Sequence, residues 1–478
     1  MVQSPCGPAT KDDRGNHFMY KIDFSNPIHL HFIGIGGISM SGLAEILMKE
    51  GFIISGSDSQ ESDLVARLRS QGALVNIGQR AENITDDIEA VVYTAAIHPD
   101  NPEYQAALQK GLPMMTRAEL LGQIMTIYET PIAVAGTHGK TTTTSMIATV
   151  LMEAGTDPTV SVGGIIPAIG SNIRVGSSGL FVAEACEYTN SFLSFFPKIA
   201  VILNVDEDHL DFFKDIYDIA ASFHRFACLV PRDGALVINR DTRCYDIVTE
   251  GLDCPIVTYS IENAMADYTA ADLTVGEDGC CTFTCLEKGQ PLTTIALSVP
   301  GRHNVIDALA TIATLRVIGL EAGAIAEGLG RFGGAARRFE TKGTVGGVTI
   351  VDDYAHHPAE IDATLTAAAG CVKRELYVAF QPHTYTRTQA LMGEFARVLK
   401  KADHVLLADI YAAREKNTLG ISSADLRDAI NALDGHADYF TSFGEIEDYV
   451  LTHCVDGDMF ITMGAGDIYK VGDDLLGR

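Results

Sequence analysis

Several features of exported or membrane proteins are missing from this sequence. No apolar run approaches the roughly 18 residues that span a bilayer. The first 30 residues lack the pattern of a secretory signal, in which a charged segment is followed by an apolar stretch and a cleavage site of small residues. The 10 cysteines include no CxxC pair, and Cys280 and Cys281 are adjacent, so we predict neither a cysteine-ligated metal site nor a disulfide framework. We therefore expect a cytoplasmic globular protein with reduced thiols.

Positive charge is also scarce. The chain has 35 Lys and Arg against 62 Asp and Glu, a formal net charge of −27. Such a charge would repel the phosphates of nucleic acid. Small anions can still bind where helix N-termini, Lys, Arg or Mg²⁺ provide local positive charge. We expect small-molecule partners, no nucleic acid and no membrane, while an oligomer remains possible.

The 478 residues suggest two to four domains. Strands alternate with helices in three successive blocks, which predicts an α/β protein with parallel sheets. We place the domains at 1–127 (with 1–24 as a loose leader), 128–336 and 337–478. The strands predicted after the first one, which ends at the glycines near residue 34, are 52–58, 73–77, 90–96, 180–185, 199–205, 235–239, 348–355, 375–382, 404–411 and 459–467.

The motif Gly136-Thr137-His138-Gly139-Lys140-Thr141 stands between an apolar strand and a predicted helix. Backbone N–H groups at a helix N-terminus bind anions, and glycine lets phosphate oxygens approach closely. Lys140 supplies a charge for the β- and γ-phosphates, and the Thr141 hydroxyl can bind Mg²⁺. Val134 stands where the usual phosphate loop has its first glycine, so GTPases and motor ATPases are disfavoured. The motif predicts a nucleoside triphosphate site.

A second glycine cluster follows the first predicted strand. Gly34 and Gly36 open a dinucleotide-binding pattern, but Ser39 occupies the third glycine position. Asp58 ends the next strand, where an acid that binds ribose would stand. The pattern leaves two ligands open, NAD or another nucleotide held by its diphosphate. A nicotinamide-dependent oxidoreductase is therefore an alternative from another functional class.

Acidic and imidazole side chains follow two strands of the second block. Glu184 and Glu187 come after one strand, and His209 comes after another. The carboxyl ends of strands border the ligand crevice in open α/β sheets, and such side chains can bind a divalent cation. A solvated acidic loop is the alternative for the string NVDEDHLD. Together with the phosphate loop, the metal site is favoured.

Histidines and arginines follow the strands of the third block. The clusters are Asp353-Tyr354-Ala355-His356-His357, then His383 with Arg387, then Arg414. An isolated histidine would be a core or surface residue. Three clusters in equivalent places instead indicate a site, and the arginine fork matches a carboxylate.

These motifs together resemble the Mur ligase family. The similarity runs from about residue 28 to 470 and includes HFIGIGGISMSGLAEIL, GTHGKTTT, NVDEDHLD, GRHNVIDALA, RRFE, DDYAHHPAEI and FQPHTYTRT. It is greatest to members that join L-alanine to UDP-N-acetylmuramate. The resemblance implies a Rossmann-like N-terminal domain, a P-loop ATPase-like central domain and a Rossmann-like C-terminal domain.

The resemblance also implies residue roles. The UDP-substrate would contact Gly34, Gly36, Gly37, Ser39, Met40, Ser41, Asp58 and Arg117. ATP would contact Gly136, Thr137, His138, Gly139, Lys140, Thr141, Thr142, His303, Asn304 and Arg338. Mg²⁺ would be held by Thr141, Glu184 and His209. The amino acid would contact Tyr354, His356, His383, Arg387 and Arg414. The catalytic residues would be Lys140, His209, His356 and Arg387.

The implied reaction belongs to peptidoglycan precursor synthesis. The γ-phosphoryl group of ATP passes to the muramyl carboxylate, and the alanine amine then attacks the acyl phosphate. A recycling ligase that attaches a whole peptide to the same nucleotide is the alternative within the family.

The sequence departs from the family pattern at several places. Asp307 replaces a frequent Asn, and Thr384 replaces a frequent Arg. Cys186, Tyr188 and Thr189 depart from a string that is often EADESD, so only Glu184 and Glu187 carry over from it. No lysine is present near residues 222–224, so we do not predict a carbamylated lysine.

Overall fold

The structure is a computed structural model that describes residues 20–94, 96–209, 212–413 and 415–478. Most of the predicted leader, residues 210 and 211 of the NVDEDHLD motif, and Arg414 lie outside these residues. The last part of the leader, 20–24, is packed and not loose. Ile22 is buried, and its N–H donates to Gln123 Oε1 at 2.7 Å. The alternating apolar residues of this segment explain the packing, because they lie against the first core.

The first sheet belongs to an N-terminal unit. Its elements are β1 His29–Ile33, α1 Ile38–Lys49, β2 Ile53–Asp58, α2 Asp63–Ser70, β3 Leu74–Ile77, a 3₁₀ turn Ala81–Asn83, β4 Ala90–Tyr93, α3 Pro102–Lys110, β5 Met114–Thr116 and α4 Arg117–Met125. The order is β3-β2-β1-β4-β5, and every pair is parallel. The Rossmann-like prediction is confirmed. Strand β5 was not predicted because three residues carry too little periodicity.

The middle unit contains the second sheet. Its elements are β6 Thr130–Ala135, α5 Lys140–Glu153, β7 Thr159–Ile166, β8 Ser171–Arg174, β9 Leu180–Glu184, a 3₁₀ segment Tyr188–Ser194, β10 Ile199–Ile202, α6 Ile216–Ala227, β11 Ala235–Asn239, α7 Tyr245–Thr249, β12 Ile256–Ser260, β13 Tyr268–Val275, β14 Cys280–Glu287, β15 Gln290–Pro300, α8 His303–Val317 and α9 Ala322–Arg331. The order of its ten strands is β15-β14-β13-β12-β11-β10-β6-β9-β7-β8.

This second sheet is mixed, whereas a parallel sheet was predicted. Strands β13 to β15 form an antiparallel meander, and β7 pairs antiparallel with β8. The turn between β14 and β15 places Lys288 and Gly289 at φ 50° and 76°. Positive φ at both central residues is typical of the tight hairpin turns that match strand twist. The central strands β12, β11, β10, β6 and β9 are parallel, as predicted.

The C-terminal unit contains the third sheet. Its elements are β16 Glu340–Val345, β17 Val348–Asp353, α10 Pro358–Cys371, β18 Leu376–Phe380, α11 Tyr385–Ala390, α12 Met392–Leu399, β19 His404–Leu407, α13 Ser423–Asn431, β20 Ala437–Tyr439, α14 Phe443–His453, β21 Met459–Met463 and α15 Tyr469–Leu475. The order is β16-β17-β21-β18-β19-β20, and only the edge strand β16 is antiparallel. This Rossmann-like prediction is also confirmed.

The N-terminal and middle units share one apolar core, which includes Leu121 of α4 and Phe192 of the 3₁₀ segment. Gly122 allows this contact, because a Cβ there would lie 1.9 Å from the Ser194 carbonyl oxygen. The two apolar clusters of the C-terminal unit contain residues of that unit alone. Among the described residues, no helix is long and apolar enough to cross a membrane.

Candidate active site

The phosphate loop connects β6 to α5, which begins at Lys140. Gly136 and Gly139 have φ values of 151° and 82°, which favour glycine. A Cβ on Gly139 would lie 2.7 Å from Asp307 Oδ1, so no other residue fits there without displacement. The His138 N–H donates to Asn204 Oδ1 at 2.8 Å, and Asn204 Nδ2 donates to the His138 carbonyl at 3.0 Å. Asn204, at the end of β10, therefore fixes the loop.

Lys140 lies inside the loop with its ammonium paired. Its Nζ donates to the Gly136 carbonyl at 2.5 Å and to the Thr137 carbonyl at 3.0 Å. It also lies 3.0 Å from Glu187 Oε2. Burial would lower the pKa of Lys140, but the neighbouring Glu187 carboxylate outweighs this effect and raises it. The side chain is therefore a permanent positive charge beside the N-terminus of α5.

The predicted metal ligands are brought together in part. Thr141 Oγ1 donates a hydrogen bond to Glu184 Oε2 at 2.9 Å, so these two candidate metal-binding oxygens are adjacent. His209 instead lies next to Glu187, with Nε2 3.8 Å from Oε1. Within the described residues, no group of three or more His, Cys, Asp or Glu side chains is arranged to hold a metal. Two oxygen donors at a phosphate loop still fit Mg²⁺, which usually takes few protein ligands together with substrate phosphates.

A cavity of about 220 Å³ lies between the middle and C-terminal units. The residues predicted to contact ATP that line it are His138, Gly139, Thr142, His303, Asn304 and Arg338. Burial lowers the pKa of His303 to about 4, so this imidazole is neutral near pH 7. The cavity extends from the phosphate loop to the start of α8, which places the candidate base contacts and the candidate phosphate contacts on one surface.

Two buried carboxyl groups also line this cavity. Burial raises the pKa of Asp307 to about 7, although Thr143 and Arg338 oppose the shift. Burial raises the pKa of Asp353 to about 6 against Arg338 and two backbone N–H groups. The donors to Asp353 are the amides of Ala355 and Phe339. Asp353 thus shapes the chain between β17 and α10.

The cations of the C-terminal unit approach the middle unit directly. Arg387 Nη2 donates to Asp208 Oδ1 at 2.9 Å, and its Nη1 contacts His383 Nδ1 at 3.2 Å. Burial would raise the pKa of Asp208, but Arg387 and His209 hold it well below its usual range. The rings of His356 and His383 are 5.7 Å apart. Arg387, His383 and His356, three of the residues predicted to contact the amino acid, therefore form one cluster.

His356 is held in a defined orientation. Its Nδ1 lies 3.0 Å from the Tyr354 carbonyl oxygen, which can only accept, so Nδ1 carries the hydrogen. Burial lowers the pKa of His356, with Glu360 opposing and Arg387 adding to the shift. The neutral ring therefore has its lone pair on Nε2. Tyr354 itself lies under the Arg337 and Arg338 guanidinium groups.

The glycine turn of the N-terminal unit is braced by the strand beside it. The Ser57 carbonyl accepts from the N–H groups of Gly34 and Ile35, and Asp58 Oδ2 accepts from the Gly36 N–H at 2.9 Å. Asp58 therefore stabilises the turn itself. The exposed Gly37 precedes α1, so this helix N-terminus is open at the surface.

Three other residues predicted to contact UDP are engaged within the protein. Met40 is buried in the first core, and Ser41 Oγ donates to the Ile38 carbonyl, so a direct side-chain contact with UDP is not supported for either. Ser39 Oγ accepts from Asn172 of the middle unit at 3.4 Å. Met40 and Ser41 lie on the buried face of α1, so any contact of these two residues with UDP would be made by the backbone.

Arg117 interacts with the middle unit. It is the first residue of α4, and its charge interacts with Glu184 and Cys186 of the middle unit. Burial lowers the pKa of this guanidinium, although the two acidic groups oppose the shift. The charge of Arg117 therefore acts across the boundary between the N-terminal and middle units.

Sequence comparison places all three units in one family. Residues 134–315 match the profile "Mur ligase middle domain", residues 29–129 match "Mur ligase family, catalytic domain", and residues 337–466 match "Mur ligase, glutamate ligase domain". The chain belongs to the Mur ligase family. It is therefore a ligase, and the oxidoreductase alternative is not supported.

Related proteins match this Mur ligase over nearly its full length. The UDP-N-acetylmuramate–L-alanine ligase of Lachnospira eligens is 58% identical over 458 residues, which cover 96% of this chain and 100% of that protein. The enzyme of the same name from Agathobacter rectalis is 57% identical with the same coverage. The solved structure of the UDP-N-acetylmuramate-alanine ligase MurC from Thermotoga maritima is 28% identical, covers 94% of this chain and 99% of that chain, and superimposes with a TM-score of 0.77.

A solved murein peptide ligase from Psychrobacter arcticus is also similar. It is 26% identical, covers 94% of this chain and 98% of that chain, and gives a TM-score of 0.66. The two structures correspond to the two family alternatives that the sequence left open.

Three side chains of the candidate site were not predicted. Asn204 fixes the phosphate loop, Asp208 binds Arg387, and Glu360 contacts His138. Asn204 and Asp208 belong to the NVDEDHLD string, whose polar residues at the end of a strand were the available signal. Glu360 stands three residues after His357 in a helix-capping pattern, and that spacing was its signal.

Proposed function

We propose that this protein is the ATP-dependent ligase that joins the amine of L-alanine to the carboxylate of UDP-N-acetylmuramate in peptidoglycan precursor synthesis. The near full-length relatives at 58% and 57% identity carry that name. One structural observation supports the reaction type. A chain of ion pairs runs from Lys140 to Glu187 and on to His209. It continues from His209 to Asp208 and ends at Arg387. The loop proposed to bind phosphate and the arginine proposed to bind a carboxylate would thus lie at the two ends of one cluster.

The phosphate end of this cluster would hold ATP. Lys140 and the N-terminus of α5 offer positive charge to the β- and γ-phosphates. Thr141 and Glu184 would hold Mg²⁺, with His209 nearby, and the ion would neutralise charge on the phosphates. His303 and Asn304 line the deeper part of the cavity, where the base would lie.

The N-terminal unit would hold the UDP part of the other substrate at the open start of α1. Arg117 would contact the same substrate near the boundary with the middle unit, where its charge interacts with Glu184. The muramyl carboxylate takes the γ-phosphoryl group and releases ADP. The resulting acyl phosphate carries a good leaving group. Positioning and charge neutralisation by these side chains would supply most of the catalysis.

The C-terminal unit would present L-alanine. The Arg387 fork matches its carboxylate. His356 is neutral, and its Nε2 lone pair can accept the proton that the amine loses as nitrogen attacks the acyl carbon and phosphate departs. Docking of this unit on the phosphate loop would keep water from the acyl phosphate.

Phosphate release tests the proposal. The protein is incubated with Mg-ATP, UDP-N-acetylmuramate and one amino acid at a time. We expect release that requires the muramyl nucleotide and is fastest with L-alanine. Release independent of the muramyl nucleotide would refute the ligase assignment, and equal rates with alanine, glycine and serine would refute the specificity. Faster release with an L-alanyl peptide would favour the recycling alternative. ATP and nucleotide-sugar substrates are consistent with a cytoplasmic enzyme.

A further inference from the structure

Glu360 lies in the first turn of α10 and faces the phosphate loop across the cleft. Its side chain is 15% exposed. Oε1 lies 3.2 Å from His138 Nδ1, so this partly buried carboxylate of the C-terminal unit is hydrogen-bonded to the loop of the middle unit. Oε2 accepts from the His356 N–H at 3.1 Å and from the His357 N–H at 3.3 Å. One carboxylate thus contacts both candidate ligand sites.

On the phosphate side, Glu360 contacts His138, whose position is already restricted by other contacts. The main chain of His138 is held by Asn204 through two hydrogen bonds. Its ring packs on His357, with the centroids 4.9 Å apart. His138 is followed by Gly139 and Lys140, so its position sets the entry to α5.

On the amino-acid side, the same carboxylate fixes the segment that presents His356. The His356 ring lies beside His383, which contacts the Arg387 guanidinium. Burial would raise the pKa of Glu360, but His356, His138 and Arg338 hold it well below its usual value. The group is therefore an anion held between imidazoles of two units.

We propose that Glu360 is a positioning residue that links the phosphate loop to the amino-acid site, so that the alanine receptor is assembled when the C-terminal unit is docked on that loop. The inference rests on the proposed function for the identity of the two ligands. Its structural part, the contact from Glu360 to His138, is independent of those ligands.

A simpler role for Glu360 is the cap of α10. His357 and Glu360 form a capping box in which the Glu360 side chain accepts from the His357 N–H. Capping boxes accept Gln in place of Glu. Glu360→Gln therefore keeps the cap and removes the charge that pairs with His138. Ser442 and Glu445 form the same box at the start of α14, so Glu445→Gln is a matched control.

Two measurements on the full chain test the proposal. In steady-state assays, Glu360→Gln should raise the KM for L-alanine and lower kcat, with a combined loss of about tenfold to hundredfold in kcat/KM, as expected when a charged hydrogen bond is lost. The KM for UDP-N-acetylmuramate should stay within about twofold. In hydrogen–deuterium exchange without substrates, the amides of residues 136–142 should exchange faster in Glu360→Gln than in the wild type. Glu445→Gln should change neither readout.

An unchanged result in either measurement for Glu360→Gln would overturn the proposal and leave Glu360 as a helix cap. A wild-type protein that releases no phosphate with L-alanine would instead refute the proposed function. The exchange comparison would then still decide whether Glu360 holds the phosphate loop.

Discussion

Arg387 of the C-terminal unit donates a 2.9 Å hydrogen bond to Asp208 of the middle unit. Both side chains are nearly buried, at 13% and 11% exposure. The other arm of the guanidinium contacts His383 Nδ1, which must carry the lone pair because arginine can only donate. Asp208 therefore takes the place on the arginine fork that we assign to the carboxylate of L-alanine, and the substrate must share or displace it.

Arg387→Lys tests this assignment. Lysine keeps the charge but loses the planar fork that binds a carboxylate through two N–H groups. We expect the KM for L-alanine to rise about tenfold to hundredfold and the KM for ATP to change less than about threefold. Steady-state phosphate release with each substrate varied in turn measures both. An unchanged KM for L-alanine, with ATP affected instead, would move Arg387 to the nucleotide site.

Removal of the Lys140 ammonium should affect turnover and stability separately. Lys140→Met should lower kcat by at least about a hundredfold, because positive charge at the transferring phosphoryl group is lost. It also leaves the Glu187 carboxylate, 3% exposed, without its closest cation, so Tm should fall by several degrees. The UDP-substrate should still bind, since we assign its site to the N-terminal unit.

The double variant Lys140→Met/Glu187→Gln provides the control. It should regain most of the lost Tm, because the unpaired buried charge is gone, while kcat stays low. Differential scanning calorimetry and single-turnover phosphate release separate these two effects. A double variant as unstable as Lys140→Met would show that the pair is not the source of the lost stability.

Local patterns were sufficient to predict much of the site. Lys140, Thr141 and Glu184 lie where a strand ends and a glycine turn or polar string begins, and the structure brings Thr141 and Glu184 within 2.9 Å. Parallel strands between helices follow from the same short-range patterns. These features depend on sequence neighbours, so a single sequence reveals them.

The contacts that were missed join residues far apart in the chain. Asn204 is 66 positions from His138, Arg387 is 179 positions from Asp208, and Glu360 is 222 positions from His138. Such pairs depend on how the units dock, which no periodicity specifies. The missed meander is different, since β14 alternates buried and less buried residues along CCTFTCLE. This alternation could have predicted a strand. It was missed because these strands do not belong to a unit in which a strand ends at a glycine and a helix follows.

Asp307 makes stability depend on pH in a defined direction. Its pKa rises from 3.8 in an exposed chain to about 7 in the folded protein because it is buried. The folded state therefore holds a proton that the unfolded state releases between these values. The resulting stabilisation is complete below about pH 4 and is lost as the pH rises through about 7.

Asp307→Asn should remove this dependence, because the amide is neutral at every pH. We expect the variant to have a higher Tm than the wild type at pH 8 and a similar Tm at pH 4.5. The difference at pH 8 corresponds to a few kcal/mol at most, since one pKa unit is worth about 1.4 kcal/mol. Calorimetry across this range measures it. A constant offset at all pH values would show that packing, and not ionisation, distinguishes the two side chains.

Gly42 tests the contact between the N-terminal and middle units. It lies in α1, where Ala would normally stabilise a helix by up to about 1 kcal/mol. A Cβ on Gly42 would lie 2.2 Å from Ile173 Cδ1 and 2.7 Å from Ile173 Cβ, so the clash includes more than the tip of that side chain. Gly42→Ala must therefore push α1 away from β8. We expect a lower Tm and a higher KM for UDP-N-acetylmuramate, because α1 carries the candidate diphosphate site.

The effect of Gly42→Ala on Tm should change sign when the Ile173 side chain is shortened. In the Ile173→Ala background, Gly42→Ala should raise Tm, since only the helix preference remains. Gly323→Ala in α9 is the matched control, because a Cβ there meets nothing within 4 Å. It should stabilise the protein slightly and leave every KM unchanged. An equal loss of Tm in both backgrounds would place the cause within α1. The close approach of the two units would then not explain why glycine is needed at this position.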